Sequence, residues 1–548
     1  MESIESQAAG LAGLGPGTRS GERLRSLRFV EVLALASIVA FYLATTLPNI
    51  GNNPIAGGDE GWIISGSAKL AEHGTFGTDL FAGFFKADSR YYFNLPLQHL
   101  VLAGVFKVFG TGITQARLVS AAFGLLALAL TYALGRRVGG RGVGVGAAAL
   151  LVLLRLNLTP FTGLTLTDLG ATVRYDLIAL PFALAAALVL LRRPEAPSVR
   201  DAALAGVLLG LGCLTQFIDA LFVLPFALFI LGAPLASKRK ALLYAVLTGA
   251  VLLPFLPYFA YALTDWHDFR AQGHTNLQKT DVLSPSFYLD NLRHEPDRYN
   301  LGLEIGDAGV LKRPSARLAL LVLAPLAAAY AVVRARGGSA PHRLLALTLL
   351  ALVVELALFE STKRFVYWVV VAPFLCVAIA DGAMVLWRWQ PQSERLRRVV
   401  LAGAAACAVV IAAEGAIVGA RNLRDAGDAP SLAEAGEAVR EVVPEGSMVL
   451  TDNRMWPALR DMQPRSLLLL FYWTNPDIAG EELTDIPGAI ERTNARYLLL
   501  SPVSKELLTH LSPEDSATFA SYLKQHGTLK AVVAEPPYGP IEVYELRP

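Results

Sequence analysis

Long apolar runs alternate with short polar connections along most of the chain, and the pattern changes character near residue 420. Eleven runs approach the roughly 20 apolar residues that a bilayer core requires: 29–47, 116–135, 142–158, 176–191, 201–217, 219–235, 241–263, 315–333, 343–359, 365–387 and 399–420. Each predicts a membrane-spanning helix. A further stretch, 95–110 (LPLQHLVLAGVFKVFG), is apolar but short and carries Lys107 near its end. Beyond 420 the runs shorten. Strand-like segments (Ser447–Thr451, Ser466–Phe471, Arg496–Ser501, Leu529–Ala534, Ile541–Leu546) alternate with helical periodicity near 430–442, 484–493 and 511–525, the pattern of a small α/β domain.

Positive charge orients the spans, because short basic loops stay on the cytoplasmic side. Arg19, Arg23, Arg25 and Arg28 precede the first run. Later clusters are Arg136/Arg137/Arg141, Arg192/Arg193/Arg200, Lys238/Arg239/Lys240, Arg334/Arg336/Arg343 and Arg388/Arg395/Arg397/Arg398. They occupy every second connection, which places the amino terminus inside and the carboxy terminus outside. If 95–110 also crossed, every later cluster would be turned outward. The stretch is therefore expected to lie along the outer interface.

The expected fold class is an all-α polytopic membrane bundle of about eleven transmembrane helices, N-in and C-out. It carries interfacial helices in its first outer loop and a small C-terminal extracytoplasmic α/β domain. The expected divisions are a cytoplasmic segment 1–28, a transmembrane domain 29–420 with outer loops 48–115, 159–175 and 264–314, and the tail 421–548. The leading residues are polar and Gly-rich and do not read as a cleavable signal. Composition agrees: 54% of residues are hydrophobic and 17% charged, against roughly 25% charged for a soluble chain. A net charge of +2 leaves no global field for nucleic acid. Cys213, Cys376 and Cys407 all lie in apolar runs, so the loops have no disulfide framework or cysteine metal site.

The candidate chemistry collects on the outer side. Asp59 and Glu60 open a helical stretch ending at His73-Gly74. A carboxylate there can take the proton of an acceptor hydroxyl, with Asp59 as the general base and Glu60 assisting. Asp59 also suits an N-cap and Glu60 a first turn. Lys86, Arg90, Tyr91 and Asn94 follow in the same loop and offer cations and hydrogen-bond donors for a phosphate. The same residues also suit a headgroup belt. Arg155 and Arg174 add cations near the second outer loop, and Asp176 opens the next span as a positioning acid or an N-cap. Asp219 and Glu355 near outer span ends are further cleft candidates. Lys363 and Arg364 pair with Glu360 in a bland reading. His267, His274 and His294 have no recognised metal-ligand spacing.

The order of these motifs resembles the C-type membrane glycosyltransferases, in the bacterial branch related to protein O-mannosyltransferases and lipid A aminoarabinose transferases. Asp59-Glu60 with His73-Gly74 is similar to the family's acidic first-loop motif. Asn94-Leu95-Pro96-Leu97, Phe109-Gly110 and Ala116-Arg117-Leu118-Val119-Ser120 resemble its Lys-Pro-Pro-Leu segment and the following turn. Arg174-Tyr175-Asp176 resembles the second-loop acidic position, and Arg364 to Pro373 a late-span Tyr/Pro pattern. The resemblance is good over 29–260 and architectural beyond. It departs where Asn94 and Leu95 replace the family's Lys and first Pro, so Lys86, Arg90 or Arg174 would meet the donor phosphate.

The resemblance implies a polyprenyl-phosphate sugar donor, with Asp59 as base and a lipid, glycan or protein acceptor. The expectation is an inverting transferase, with membrane lipids as its surroundings and no nucleic acid partner. No cofactor is assigned, though a divalent metal is compatible. The Ala, Leu and Arg content suits a bacterial inner membrane, with the active site on the periplasmic or extracellular side. A polytopic transporter or flippase for a lipid-linked substrate is the alternative; its spans would carry midmembrane polar residues, whereas here these cluster at outer ends.

Overall fold

A computed structural model describes residues 17–154, 170–277, 281–300, 314–534 and 538–547. All eleven apolar runs carry helices, sometimes broken. Gly17–Thr46, Ile113–Gly139, Arg141–Leu153, Tyr175–Leu190 and Val199–Cys213 come first. Phe217–Phe222 with Val223–Leu231, and Ser237–Leu252 with Leu256–Leu263, follow. Pro314–Arg317 leads towards Ala324–Arg336, and then come Ala340–Phe359, Ala372–Arg388 and Glu394–Gly427. Among the described residues, six helical stretches are long and apolar enough to cross a membrane by length and composition. The others are shorter. Outward faces stay apolar, with Phe29, Leu33, Leu126, Leu256, Leu326 and Ile417 all exposed. Such a surface has a solvent to match only in lipid.

The bundle is a chain of pairwise packings. Ile113–Gly139 lies on Arg141–Leu153 and Tyr175–Leu190, Tyr175–Leu190 on Val199–Cys213, and Val199–Cys213 on Ser237–Leu252. Small residues permit these approaches, as membrane helix packing requires. A Cβ at Gly206 would run into the Leu247 carbonyl. One buried polar pin joins three helices. The Tyr330 hydroxyl donates to Asp381 Oδ2 at 2.6 Å, and His342 Nε2 lies 2.7 Å from the same oxygen.

Pro96–Phe109 forms a helix of 14 residues, about 21 Å at 1.5 Å per residue, one of several shorter apolar helices. Pro96 starts it after an extended Leu95. Gln98, His99, Leu102, Ala103 and Phe106 make its buried stripe, while Leu100, Val108 and Phe109 are exposed. It packs along Gly58–His73 of the first outer loop.

The tail contains a five-stranded sheet of order β2-β1-β3-β5-β4, with β1 Val449–Thr451, β2 Arg465–Ser466, β3 Tyr497–Leu500, β4 Gly527–Val533 and β5 Ile541–Leu546. β1 pairs in parallel with β2 and β3, and β5 is antiparallel to β3 and β4. The expected strand Ser466–Phe471 is corrected: pairing stops at Ser466, and Leu468–Thr474 is a helix. Its apolar run buries Leu469, Leu470 and Trp473 on one side, and a short apolar run does not itself choose between strand and helix.

The tail does not stand apart from the first loop. One hydrophobic core contains Ile63, Phe81, Phe84, Phe93 and Leu102 of the loop with Leu450, Leu470 and Trp473 of the tail. The carboxyl ends of the parallel strands face the loop. There Arg454 is held by Asp452 at 3.0 Å and donates to Ser501 at 2.9 Å. The adjoining Asn453 carbonyl abuts Gly61, where a Cβ would overlap it. Arg460 reaches Glu72 at 2.7 Å, Arg465 donates to the Asp79 carbonyl at 2.7 Å, and the Ala56 amide donates to the Tyr538 hydroxyl at 3.1 Å.

Candidate active site

The site is built on the first turn of Gly58–His73. The N-cap is Gly57, in extended backbone, so Asp59 is not the cap. Asp59 sits in the first turn with its side chain 51% exposed. The expectation of a capping Asp59 is corrected, and the carboxylate is left accessible to solvent.

Glu60 faces the other way. Its oxygens accept from Arg117 Nε at 2.8 Å and Nη2 at 2.7 Å, and from the backbone amides of Gly57 and Val173 at 2.9 Å each. Arg117 is fully buried and also donates to the Ile50 carbonyl at 2.8 Å. Such a bidentate charge-assisted pair is among the stronger polar contacts a protein makes. It ties the first loop, the Ile113–Gly139 helix and the second outer loop together. Glu60 is thus a buried clamp, and the expectation that it assists at the surface is corrected.

Arg174 links the two loops. Its Nε and Nη2 donate to Asp176 Oδ2 at 3.0 and 2.8 Å, and its Nη1 lies 3.4 Å from Asp59 Oδ2. Burial alone would lower the guanidinium pKa, but Asp176 and Asp59 outweigh it and hold the pKa above its ordinary value. Asp176 is fully buried, and its Oδ1 accepts from Gln216 at 3.2 Å. The N-cap of its helix is Arg174, so Asp176, like Asp59, is a first-turn residue and not a cap.

Two phenols, Tyr91 and Tyr175, pack edge-on against His99 with ring centroids at 5.1 and 6.2 Å. Tyr91 is buried, accepts from Asn94 Nδ2 at 2.7 Å, and packs on Phe76 and His99. Burial holds the phenol pKa of Tyr91, Tyr175 and Tyr472 of the tail above its ordinary value, and the Asp59 carboxylate adds to this at all three. Beneath them His99 is fully buried, its Nδ1 3.0 Å from the Ser67 hydroxyl. Burial pushes the imidazole down to about 3, so it is neutral at physiological pH.

Lys86 and Arg90 are engaged elsewhere. Lys86 lies 3.1 Å from Asp265 and 2.9 Å from Asp268, and Arg90 donates to the Thr264 hydroxyl. These contacts latch the first loop onto the segment after Leu256–Leu263. Gln272 completes the latch by donating to the carbonyls of Phe85 and Arg90 at 2.9 and 2.7 Å. Lys86 stays 63% exposed, which leaves ammonium protons for a ligand.

Asp219 is buried, and neither of its oxygens has a hydrogen-bond partner among the described residues; Glu355 Oε2 is unpartnered in the same sense. The expected Lys363–Glu360 pair is corrected. Lys363 bonds Glu295 at 3.0 Å, and the buried Arg298 bridges Glu295 and Glu360 at 2.8 Å each. His267 lies 3.2 Å from Asp268 and 3.3 Å from Glu481, and His294 lies 2.9 Å from Asp297. No group of three or more His, Cys, Asp or Glu able to hold a metal occurs among the described residues. Arg155 lies outside the described residues.

The model of the family described as dolichyl-phosphate-mannose-protein mannosyltransferase matches residues 95–261. No curated protein matches. Among solved structures, ArnT from Cupriavidus metallidurans in the apo state has a TM-score of 0.58 at 14% identity, covering 95% of this chain and 98% of that one. The same protein bound to undecaprenyl phosphate gives 0.58 at 15% identity, covering 94% and 97%. The archaeal oligosaccharyltransferase AglB from Archaeoglobus fulgidus, in complex with an inhibitory peptide and a dolichol-phosphate, gives 0.57 at 14% identity, covering 86% and 69%.

The chain shares its fold with ArnT and AglB. The matched family description, a protein mannosyltransferase, is of the kind that the order of sequence motifs resembles. The matched segment takes in the Pro96–Phe109 helix, Arg117 and the Arg174–Asp176 pair but starts after Asp59, so the acidic first-loop residues join the ArnT-like fold through the structural superposition alone. Sequence reasoning named Arg117 only as part of a motif and missed Gln216, Gln272, Arg298 and Tyr472. Gln216, three positions before Asp219 at a span end, was the most findable. Tyr472 carried no signal.

Proposed function

We propose that the chain is a membrane glycosyltransferase that moves a sugar from a polyprenyl-phosphate donor to an acceptor hydroxyl at the outer face of the membrane. The observation that carries this reading is the exposed Asp59 carboxylate beside Arg174, which the buried Asp176 and Gln216 orient. The ArnT-like fold supports it, since that protein is solved with undecaprenyl phosphate. Asp59 takes the proton of the acceptor hydroxyl while its oxygen bonds to the anomeric carbon. The bond from that carbon to the phosphate oxygen breaks on the opposite face, and its electron pair leaves with the polyprenyl phosphate. The configuration is therefore inverted. Arg174, with Lys86 and Arg90 nearer the first-loop latch, balances the charge that grows on the phosphate. The acceptor is a lipid, glycan or protein hydroxyl; the alternating basic loops support a reaction on the periplasmic or extracellular side, and the Ala, Leu and Arg content supports a bacterial inner membrane.

The deciding experiment is Asp59→Asn. The amide keeps shape and first-turn position, at a structural cost of a few tenths to about 1 kcal/mol of charge–dipole interaction. It cannot accept the proton, and a general base accounts for roughly 10²–10⁴ in rate. Single-turnover transfer from a polyprenyl-phosphate sugar by folded Asp59→Asn should fall by that factor. A wild-type rate would remove Asp59 from the reaction. A second reading, a transporter or flippase, draws on Asp219 and Glu355, buried carboxyls with unpartnered oxygens among the described residues. Translocation of a lipid-linked sugar in proteoliposomes without any transfer would decide for it.

A further inference from the structure

The turn that leads out of the Gly17–Thr46 helix faces the start of the Ile113–Gly139 helix and the tail across a cleft of about 660 Å³, inside the range of roughly 300–1,000 Å³ for small-molecule sites. Asp59, Lys86, Arg90, Arg174 and Asp176 do not line it. Its polar side chains are Asn49 and Asn52 from the turn, Thr114 and Gln115 from the helix start, and Ser431 from the tail. The remaining lining is apolar or glycine, and no charged side chain lines the cleft among the described residues.

Named contacts hold this wall in place. Asn49 adopts a left-handed backbone with φ of 50°, which asparagine tolerates better than most residues. Its carbonyl accepts from the Asn52 and Asn53 amides at 2.9 and 2.8 Å. Its Nδ2 donates to the Ala426 carbonyl at 3.0 Å, and its Oδ1 accepts from Asn52 Nδ2 at 3.0 Å. Both side-chain amides are therefore set before any ligand arrives. A Cβ at Gly51 would overlap the Thr114 hydroxyl, so glycine there keeps that hydroxyl in the wall. Gln115 Nε2 donates to the Phe109 carbonyl at 3.3 Å, which fixes the end of the Pro96–Phe109 helix beside the cleft, with Val108 and Phe109 exposed.

We propose that this cleft binds a neutral oligosaccharide carried on a lipid of the membrane surface. Side-chain amides and hydroxyls donate and accept in the same small space, as sugar hydroxyls require. The wall offers no cation for a phosphate and no carboxylate for an amine, the charged partners such groups ordinarily find. The lipid follows from position. Leu47 lines the cleft and comes directly after Arg28–Thr46, a stretch long and apolar enough to cross a membrane, so the cleft stands at the bilayer edge with Val108 and Phe109 as apolar neighbours. The site needs no transfer chemistry and does not rest on the glycosyltransferase reading. It does adjoin that frame: Ile50 lines the cleft, and its carbonyl accepts from Arg117, which holds Glu60.

The test uses purified full-length protein in nanodiscs. Binding of maltotriose, cellotriose and mannotriose is measured for the free sugars, for the same sugars on a dialkylglycerol lipid, and for 6-phosphate and amino-sugar analogues of each lipid. At least one neutral trisaccharide lipid should bind more tightly than its charged analogues. Asn52→Ala and Thr114→Val should each weaken it roughly three- to tenfold, the worth of one hydrogen bond. Thr114 is exposed and Asn52 half-buried, and equal melting temperatures check that both variants fold. A diazirine form of the bound sugar should label peptides spanning 47–52 or 112–115. No binding by any of the neutral lipids, preference for a phosphate or amino analogue, unchanged affinity in both variants, or labelling confined to the peptide that holds Asp59 would overturn the proposal. Free trisaccharide binding as tightly as its lipid form would overturn the lipid source. A wild-type transfer rate in Asp59→Asn would sink the catalytic reading and leave these affinities as they are, so the two failures are distinguishable.

Discussion

Replacing Glu60 by Gln separates the clamp from the candidate base one residue away. Glu60 accepts four hydrogen bonds, two of them from the fully buried Arg117. Glutamine has the same shape but no charge, and its amide nitrogen turns a donor toward one of the groups that now donate to Glu60. The Arg117 cation is then left in the protein interior without its counter-ion. Breaking a buried pair from one side costs about 3–5 kcal/mol. Asp59→Asn, at an exposed position, should cost no more than about 1 kcal/mol. Denaturant-induced unfolding of detergent-purified variants reads the difference. The double variant Glu60→Gln/Arg117→Met should recover much of the loss, because neither charge then remains, and the cycle of four proteins isolates the pair. A Glu60→Gln protein within about 0.5 kcal/mol of wild type, the range of ordinary surface changes, would refute the clamp.

Two further outcomes follow from the same region. His99 has an unfolded pKa near 6.5 and is pushed down to about 3 by burial. The unfolded chain therefore binds the extra proton first as pH falls, and stability is lost below about pH 6.5, by about 2 kcal/mol at pH 5; unfolding midpoints of wild type and His99→Gln across pH should show this slope vanish in the variant. Gly61→Ala should favour the isolated helix by up to about 1 kcal/mol, yet its Cβ overlaps the Asn453 carbonyl, so limited proteolysis should find the tail loosened, and unchanged protection would refute the docking.

The parts of the fold set by local pattern were readable from the residues. A bilayer demands long apolar runs, and all eleven such runs carry helices. The apolar stretch 95–110 was readable as a short helix, and Pro96–Phe109 forms one. The tail strands were found within about two residues, except where Leu467–Leu470 gave an apolar run without a period. The capping assignments of Asp59 and Asp176 failed because a short polar residue is only one way to begin a helix. Gly57 and Arg174 take the caps, with Glu60 supplying the acceptor for the Gly57 amide. The remaining pairings are long-range. Glu60 and Arg117 are 57 positions apart, and Glu72 and Arg460 are 388 apart. A single sequence has no periodicity that spans such distances, so Glu60 read as a surface acid and Tyr472 as nothing in particular.

The shared core of the first loop and the tail also sets a timetable for biosynthesis. Ala56 and its partner Tyr538 are 482 positions apart. At roughly 5–20 residues per second, the ribosome adds the second about half a minute to a minute and a half after the first. Throughout that interval Ile63, Phe81, Phe84 and Phe93 lack the tail residues that cover them, while the helices between are being inserted. The loop that holds Asp59 is thus the earliest part of the cleft to be made and one of the last to be finished. Until the tail arrives, the nascent chain presents an open aromatic surface at the membrane, and premature termination anywhere before residue 450 would leave it open for good.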